Sequence, residues 1–144
     1  MGHVYAEIEL INNEDVALAR RNVISQGEVK RMTVTALVDT GAIMMCINES
    51  IQEQMQFPVI GVRKAQMAND HIIEVPLVEH VKIRFKNRDT SCEAMVLPGN
   101  AEILLGSMPL EAMDVIIHPQ RQELIVNPDH PYFAQLKIKS YKRA

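Results

Sequence analysis

Tryptophan is absent from the 144-residue sequence, and cysteine occurs only twice, as Cys46 and Cys92. A disulfide-stabilised secreted domain needs a denser and more even set of cysteines, so we expect two free thiols in a reducing compartment. The sequence also lacks an excess of positive charge, because its formal net charge is −3. Proteins that hold a nucleic-acid backbone depend on such an excess, so we expect no nucleic-acid partner.

Long apolar runs are missing as well. No stretch of the sequence approaches the roughly 20 residues that a membrane-spanning helix needs. The first 21 residues carry acids where a signal peptide needs an unbroken apolar segment. We therefore expect a cytoplasmic protein with no membrane partner. The segment at about 129–144 ends in the basic run KIKSYKRA, which we interpret as a solvated tail.

The dominant pattern in the sequence is a series of short segments in which apolar and polar residues alternate. This alternation is typical of strands with one buried face, and it is clearest in HVYAEIELI at 3–11 and VKIRF at 81–85. No repeat or internal linker divides the chain. We therefore expect a single all-β domain over residues 1–144, built as a closed barrel or a folded sheet with one or two short helices.

Helical signals are confined to short segments. Asn13 as an N-cap and Gly27 as a stop favour an accessory helix at about 14–22, inserted after the first strand. Ser50 and Glu53 have the spacing of a capping box, which predicts a further helical turn or two around them.

One carboxylate interrupts the apolar segment TALVDTGAIMMCI at 35–47. An ionised carboxylate is costly to bury without partners, so Asp39 marks either a turn at the surface or a site that uses the acid. Gly41 permits a tight turn directly after it. A second apolar-apolar-glycine element, ILLG at 103–106, leads into a short helix around Pro109. The combination favours a functional role for Asp39.

Together the two motifs resemble those of the retropepsin-like aspartic proteases. LVDTGA at 37–42 and EILLGSMPLEAMDVII at 102–117 are most similar to the bacterial, retroviral-type members, and the similarity spans roughly residues 28–128. It implies the closed barrel of that family. It also implies a homodimer, because the family's site needs two such aspartates and this chain has one Asp-Thr-Gly. Asp39 would act with Asp39 of the second subunit on a water between them, and two carboxylates that close share one proton.

The resemblance also implies roles for other residues of the site. Thr40 would bond across the dimer and lock the two loops, and Gly41 would bring backbone N–H groups toward the carboxylates. The segment 104–106 would pack beneath the loop. A hairpin tip at 68–71 would close over the bound peptide. The residues implied in substrate binding are Ala42, Ala68, Asn69, Asp70, His71 and Leu105. Ser107-Met108-Pro109 replaces the arginine-containing continuation of the viral enzymes, so no arginine network is expected to hold the dimer.

Other chemistry has weaker support in the sequence. The five histidines are dispersed and form no close pair of metal ligands, so we expect no metal and no cofactor. Cys46 lies in an apolar strand, and we interpret it as a buried thiol rather than a nucleophile.

Two functions stay open from the sequence alone. The first is a homodimeric aspartic endopeptidase, whose partners are a second copy of itself and a peptide or protein substrate. The second is a non-catalytic peptide-binding or assembly module that binds an extended segment by β-augmentation. A monomeric precursor that awaits assembly is a third reading. The segments 3–11 and 133–139 are candidates for strands exchanged between subunits, although either could pair within its own chain.

Overall fold

The computed structural model describes residues 2–138 of the chain, and all but the first two residues of the predicted basic end KIKSYKRA lie outside them. Within the described residues the backbone forms nine strands, three α-helices and one turn of 3-10 helix at Gln26–Glu28. The strands are β1 (Tyr5–Asn12), β2 (Arg31–Val38), β3 (Met45–Asn48), β4 (Val59–Gln66), β5 (Ile72–Phe85), β6 (Arg88–Leu97), β7 (Leu104–Leu105), β8 (Val115–His118) and β9 (Glu123–Val126). The helices are α1 (Asn13–Arg20), α2 (Glu49–Met55) and α3 (Ser107–Met113).

Six of the strands close into a barrel. They pair in the order β1-β2-β7-β3-β6-β5, and β5 pairs back onto β1. Strand β4 pairs with β5 outside this ring, and β8 and β9 form a separate hairpin. The β2–β7 and β3–β6 pairs are parallel, whereas the other pairs are antiparallel. The all-β, closed-barrel prediction is confirmed, with three short α-helices where one or two were expected.

The core follows from the alternation seen in the sequence. In β1 the side chains of Ala6, Ile8 and Leu10 are buried inside the barrel, where they meet the inward-facing residues of β2 and β5. Fully burying an aliphatic side chain contributes about 1.5–3 kcal/mol, so this inner face is the main source of stability. A smaller cluster of Cys46, Ala65, Val75 and Leu97 lies beneath the β4–β5 hairpin and attaches that hairpin to the barrel.

Strand β1 pairs within its own chain along most of one edge and over its second half on the other. It pairs with β2 from Tyr5 to Ile11 and with β5 from Glu9 to Asn12. The sequence left open whether HVYAEIELI at 3–11 is exchanged between subunits, and the pairing places it inside the barrel of its own subunit. Of the other candidate, 133–139, the described residues 133–138 form no strand.

The helices begin at residues other than those predicted. Helix α1 is capped by Asn12, whose side chain accepts the N–H groups of Glu14 and Asp15, and it ends at Arg20. The predicted cap at Asn13 and the predicted stop at Gly27 are therefore wrong. Asn12 serves as the cap because its position at the end of β1 fixes its side chain, whose amide also donates to the carbonyl of a distant residue, Met55 (2.9 Å).

Helix α2 is likewise capped by its preceding asparagine rather than by the predicted serine. The side chain of Asn48 accepts the N–H of Ile51 (2.9 Å) and donates to the carbonyl of Ala101 (2.7 Å). The Ser50 hydroxyl instead bonds the side chain of Asn100. Both caps are thus strand ends held by contacts distant in sequence, which local spacing does not reveal.

Asp114, at the C-terminal end of α3, anchors the segment that follows β9. Its Oδ2 accepts the backbone N–H of Gln135 (3.0 Å) and lies 2.7 Å from Nδ1 of His130. Its Oδ1 accepts the side-chain amide of Asn127 (3.0 Å). The buried Arg88 also donates to the carbonyl of His130. One carboxylate therefore ties the last described residues to the helix that follows ILLG.

Replacing Asp114 with asparagine should loosen this segment. The hydrogen bond from the Gln135 backbone, then those from Asn127 and His130, hold the pKa of Asp114 at about 2, below its ordinary 3.8. Because this pKa is lower in the folded chain, the charged carboxylate stabilises the fold above about pH 4, and the contribution is lost as the pH falls through about 2. We expect Asp114→Asn to lower the free energy of unfolding by about 1–3 kcal/mol at neutral pH.

Urea titrations at several pH values measure this effect. The gap between wild type and Asp114→Asn should close as the pH falls from about 4 to about 2. A gap of constant size over that range would show that the charge of Asp114 does not stabilise the segment.

Candidate active site

The Asp39 loop continues the pairing of two parallel strands. Leu37 and Val38 of β2 lie in register with Leu104 and Leu105 of β7. The backbone N–H of Asp39 then donates to the carbonyl of Leu105 at 3.0 Å, one position beyond the end of β2. The position of the aspartate is therefore fixed by the barrel itself, although the residue lies at the start of a loop.

The turn after Asp39 holds the carboxylate. The N–H of Gly41 donates to Oδ1 of Asp39 at 2.9 Å, and the N–H of Ala42 donates to the Asp39 carbonyl at 3.2 Å. A Cβ atom at position 41 would lie 3.2 Å from the same Oδ1, which leaves little room for a side chain. The half-buried carboxylate is thus oriented by its own loop through the N–H of Gly41.

Gly106 fits beneath this loop with no space to spare. A Cβ atom there would lie 2.9 Å from the Ala42 carbonyl oxygen and would overlap the carbonyl group of Met44. The two residues after Gly106 donate their N–H groups back to the loop, Ser107 to Ala42 (2.8 Å) and Met108 to Ile43 (3.0 Å). The ILLG element and the Asp-Thr-Gly loop are therefore one structural unit, although more than 60 residues separate them in sequence.

A cleft of about 790 Å³ opens between this loop and the β4–β5 hairpin. Its volume lies within the range of about 300–1,000 Å³ that ligand sites occupy. Apolar side chains dominate the lining, and the charged residues in it are Asp39, Arg63 and Lys64. The apolar members are Ala42, Ile43, Met44, Ala65, Met67, Ala68, Met95, Leu97 and Leu104. Such a lining suits an extended apolar segment with a carboxylate at one point along it.

The structure brings together some of the residues predicted to bind substrate. Ala42 and Ala68 both line the cleft with Asp39. Leu105 does not, because its side chain is fully buried in the main core, and the neighbouring Leu104 faces the cleft instead. A strand of only two residues gives no alternation from which the inward residue could be read.

The tip of the hairpin holds the remaining three predicted residues, Asn69, Asp70 and His71, which do not line the cleft. Their polar groups stabilise the turn. The Asn69 side chain accepts the N–H of His71 (3.0 Å), Asp70 adopts a left-handed backbone (φ 67°), and the N–H of Met67 donates to the His71 carbonyl (2.8 Å). The polar tip thus forms a hydrogen-bonded turn without glycine.

Sequence reasoning missed the contribution of β4 and β6 to the cleft. Arg63, Lys64 and Met67 line it from the hairpin, and Met95 and Leu97 line it from the barrel wall. Only the long-range pairing of β3 with β6 brings Met95 opposite the loop. The alternation of side chains along a strand could have predicted that Arg63 and Ala65 share one face of β4. The sequence around them does not show which part of the protein that face contacts.

Thr40 lies outside the cleft. It is exposed and borders a second cavity, of about 490 Å³, which α3 and the β8–β9 hairpin line with Leu110, Ile116 and Leu124. Beside it, Ile43 and Met108 expose 67% and 60% of their surface. Two large apolar side chains are thus exposed next to the loop, and the Met108 N–H to Ile43 carbonyl bond joins their backbones.

Cys46 lies in the wall of the cleft, and its residue is buried. Burial, and then the nearby charge of Asp39, raises the pKa of Cys46 to about 11. The thiol is therefore protonated at neutral pH, as its interpretation as a buried packing residue requires.

Comparison with known proteins agrees with this geometry. A protein-family model described as aspartyl protease matches residues 25–108, which is more than half of the chain. The matched region contains the Asp39 loop, the cleft and Gly106. No curated protein sequence matches the chain significantly. Within the described residues no helix has the length and apolar character to cross a membrane. On the family match, the chain belongs to an aspartyl protease family of the retropepsin-like clan.

Proposed function

We propose that the chain is a homodimeric aspartic endopeptidase that hydrolyses peptide bonds through a water activated by Asp39 of both subunits. One observation carries the proposal. Asp39, oriented by Gly41 and braced by Gly106, is the single carboxylate that lines an apolar cleft in the described part of the chain. Peptide hydrolysis by aspartates needs two carboxylates, so this site is half of a complete one.

A second copy of the chain supplies the missing half. In a two-fold symmetric dimer the same surface of each subunit meets its counterpart, so Asp39 approaches Asp39 when the axis passes beside the loop. The exposed Thr40, Ile43 and Met108 support this arrangement, because they give that side of the loop an apolar surface with one hydroxyl. Thr40 would then bond across the axis and hold the two loops together.

The reaction follows from a proton shared between the two carboxylates. The ionised aspartate removes a proton from the water, whose oxygen attacks the carbonyl carbon, while the protonated aspartate gives its proton to the carbonyl oxygen. The resulting tetrahedral diol breaks its C–N bond as the first aspartate passes its proton to the leaving nitrogen. The second aspartate takes a proton back from a diol hydroxyl, which restores the starting protonation of the pair. No covalent enzyme intermediate forms. The apolar cleft walls exclude water and strengthen these electrostatic interactions.

The β4–β5 hairpin would cover the bound peptide. It forms the opposite wall of the cleft from the Asp39 loop, and Met67 and Ala68 near its tip line the cleft directly. An extended peptide between the two walls meets backbone groups on both sides. Opening of the hairpin would admit substrate and release the products.

Incubation with a diverse peptide library tests the proposal, with oligomeric mass measured in parallel by sedimentation. We expect cleavage to peak at one pH between acidic and neutral, because activity needs one of the two aspartates charged and the other protonated. We also expect specific activity to rise with protein concentration in step with the dimer fraction. A confirmed dimer that binds peptides and cleaves none at any pH would instead support the binding-module alternative.

A further inference from the structure

We propose that Arg63, assisted by Lys64, makes this protein select substrates that carry an acidic residue a few positions from the cleaved bond. This inference rests on the proposed function and names its substrate class. Arg63 and Lys64 both belong to β4, and among the described residues they are the cations that line this mostly apolar cleft.

Neither cation is paired within residues 2–138. The Arg63 guanidinium donates to the carbonyl of its neighbour Val62 (3.2 Å), and Lys64 forms no ion pair although Glu74 is its cross-strand partner. Other basic residues of the described chain do have acidic partners, such as Arg31 and Arg84 with Glu9. The positive charge beside the cleft is therefore not neutralised by the protein itself.

Strand alternation divides the two cations between the faces of β4. Arg63 shares a face with Ala65, whose side chain is buried in the small cluster with Cys46 and Leu97 at the cleft wall. Its cross-strand partner, Val75, belongs to the same cluster. Lys64 is on the other face, together with its cross-strand partner Glu74. Arg63 is therefore the residue that faces a peptide in the cleft, and Lys64 adds a weaker field from the edge.

The free edge of β4 provides the path for such a peptide. In the described chain β4 pairs with β5 alone, so its other edge presents unpaired backbone groups. An extended peptide can add to such an edge as a further strand. A peptide whose central residues lie at Asp39 then runs past Arg63, and a carboxylate side chain there would form a charge-assisted pair with the guanidinium. Repulsion of a lysine at the same place sharpens the selection.

Matched peptides measure the selection. Each has an apolar pair at its centre and carries Glu, Gln or Lys at one flanking position, with every position scanned. Cleavage by the wild type gives kcat/KM, and binding to the Asp39→Asn protein gives Kd. At the best position we expect the Glu peptide to have about a tenfold higher kcat/KM and about a tenfold lower Kd than the Lys peptide, which corresponds to about 1.4 kcal/mol. Added salt should reduce the ratio, because the attraction is electrostatic.

Single charge reversals identify the residue responsible. Arg63→Glu should invert the preference so that the Lys peptide is favoured, whereas Lys64→Glu should only weaken the preference for Glu. Lys86→Glu is the matched control, because Lys86 is exposed at the turn between β5 and β6 and does not line the cleft. All three positions are exposed, so the variants should retain the wild-type circular dichroism spectrum.

The outcomes separate this inference from the proposed function. If no peptide is cleaved, the endopeptidase proposal fails, and the Kd ratios still decide the selection for acid. If peptides are cleaved and Glu and Lys serve equally well, the inference is wrong and the endopeptidase proposal stands. The inference is also wrong if the preference for Glu survives Arg63→Glu, or if Lys86→Glu changes the preference as strongly as Arg63→Glu does. Failure of every peptide to bind overturns the inference as well.

Discussion

Asp39→Asn should abolish peptide cleavage while leaving the barrel folded and dimeric, with a fall in kcat of at least about a thousandfold. Asparagine keeps the shape of the side chain and can still accept the N–H of Gly41, so the loop retains its geometry. What is lost is the charge that, in the proposed mechanism, removes a proton from the water. Initial rates on a cleaved peptide, together with circular dichroism and sedimentation, measure activity, fold and assembly separately.

A matched control uses a carboxylate far from the cleft. Asp89 is exposed on β6 and does not line the cleft, so Asp89→Asn makes the same chemical change without touching the site. We expect it to keep wild-type activity within about twofold, since surface substitutions of this kind have small effects. Comparable activity in Asp39→Asn and Asp89→Asn would remove Asp39 from the reaction.

Gly106→Ala should have the second-largest effect, on stability and activity together. The new methyl group would overlap the Met44 carbonyl and press on that of Ala42, both of which belong to the backbone of the Asp39 loop. Overpacking of this kind costs about 1–3 kcal/mol, and backbone yields less readily than a side chain. A loss of that size lowers the melting temperature by about 2–4 °C per kcal/mol in a chain of this length. Displacement of the loop would also move the carboxylate.

Gly27→Ala serves as the control for Gly106→Ala. A Cβ atom at Gly27 would meet only the Ser25 hydroxyl, at 4.0 Å, and the site is remote from the cleft. We expect wild-type activity and a change in stability below about 1 kcal/mol. Thermal melts and initial rates on both variants decide the point: a Gly106→Ala protein as stable and active as Gly27→Ala would mean that the ILLG element does not brace the loop.

The paired motifs were the part of the site that sequence could predict. Asp39 and Gly41 are unusual within an apolar strand, and Gly106 follows two leucines in a second such strand. Glycine permits a tight turn or a close approach of the backbone, so a glycine in such a segment is a local signal that the sequence itself contains. The resemblance implied that the segment 104–106 packs against the Asp39 loop. In the structure β7, which contains Leu104 and Leu105, pairs in parallel with β2, which leads into that loop.

The lining of the cleft could not be predicted in the same way. Arg63 and Met95 come together only through the curvature of the barrel and the long hairpin, which depend on pairings distant in sequence. The finding that Leu104 rather than Leu105 faces the cleft has a similar cause. In a strand of two residues, the pairing with neighbouring strands decides which side chain points inward. Asp114 has no local pattern that marks it as an anchor, because the contacts that make it one lie 13 to 21 residues along the chain.

Mixing subunits shows whether each subunit supplies one aspartate to a shared site. Wild-type protein is combined with an equal amount of Asp39→Asn under conditions of subunit exchange, and the cleavage rate is compared with that of undiluted wild type at the same total concentration. If both aspartates are required, only wild-type homodimers are active and random exchange leaves about a quarter of the rate. A rate of one half would mean that each subunit works with its own Asp39 alone, which rules out a shared site.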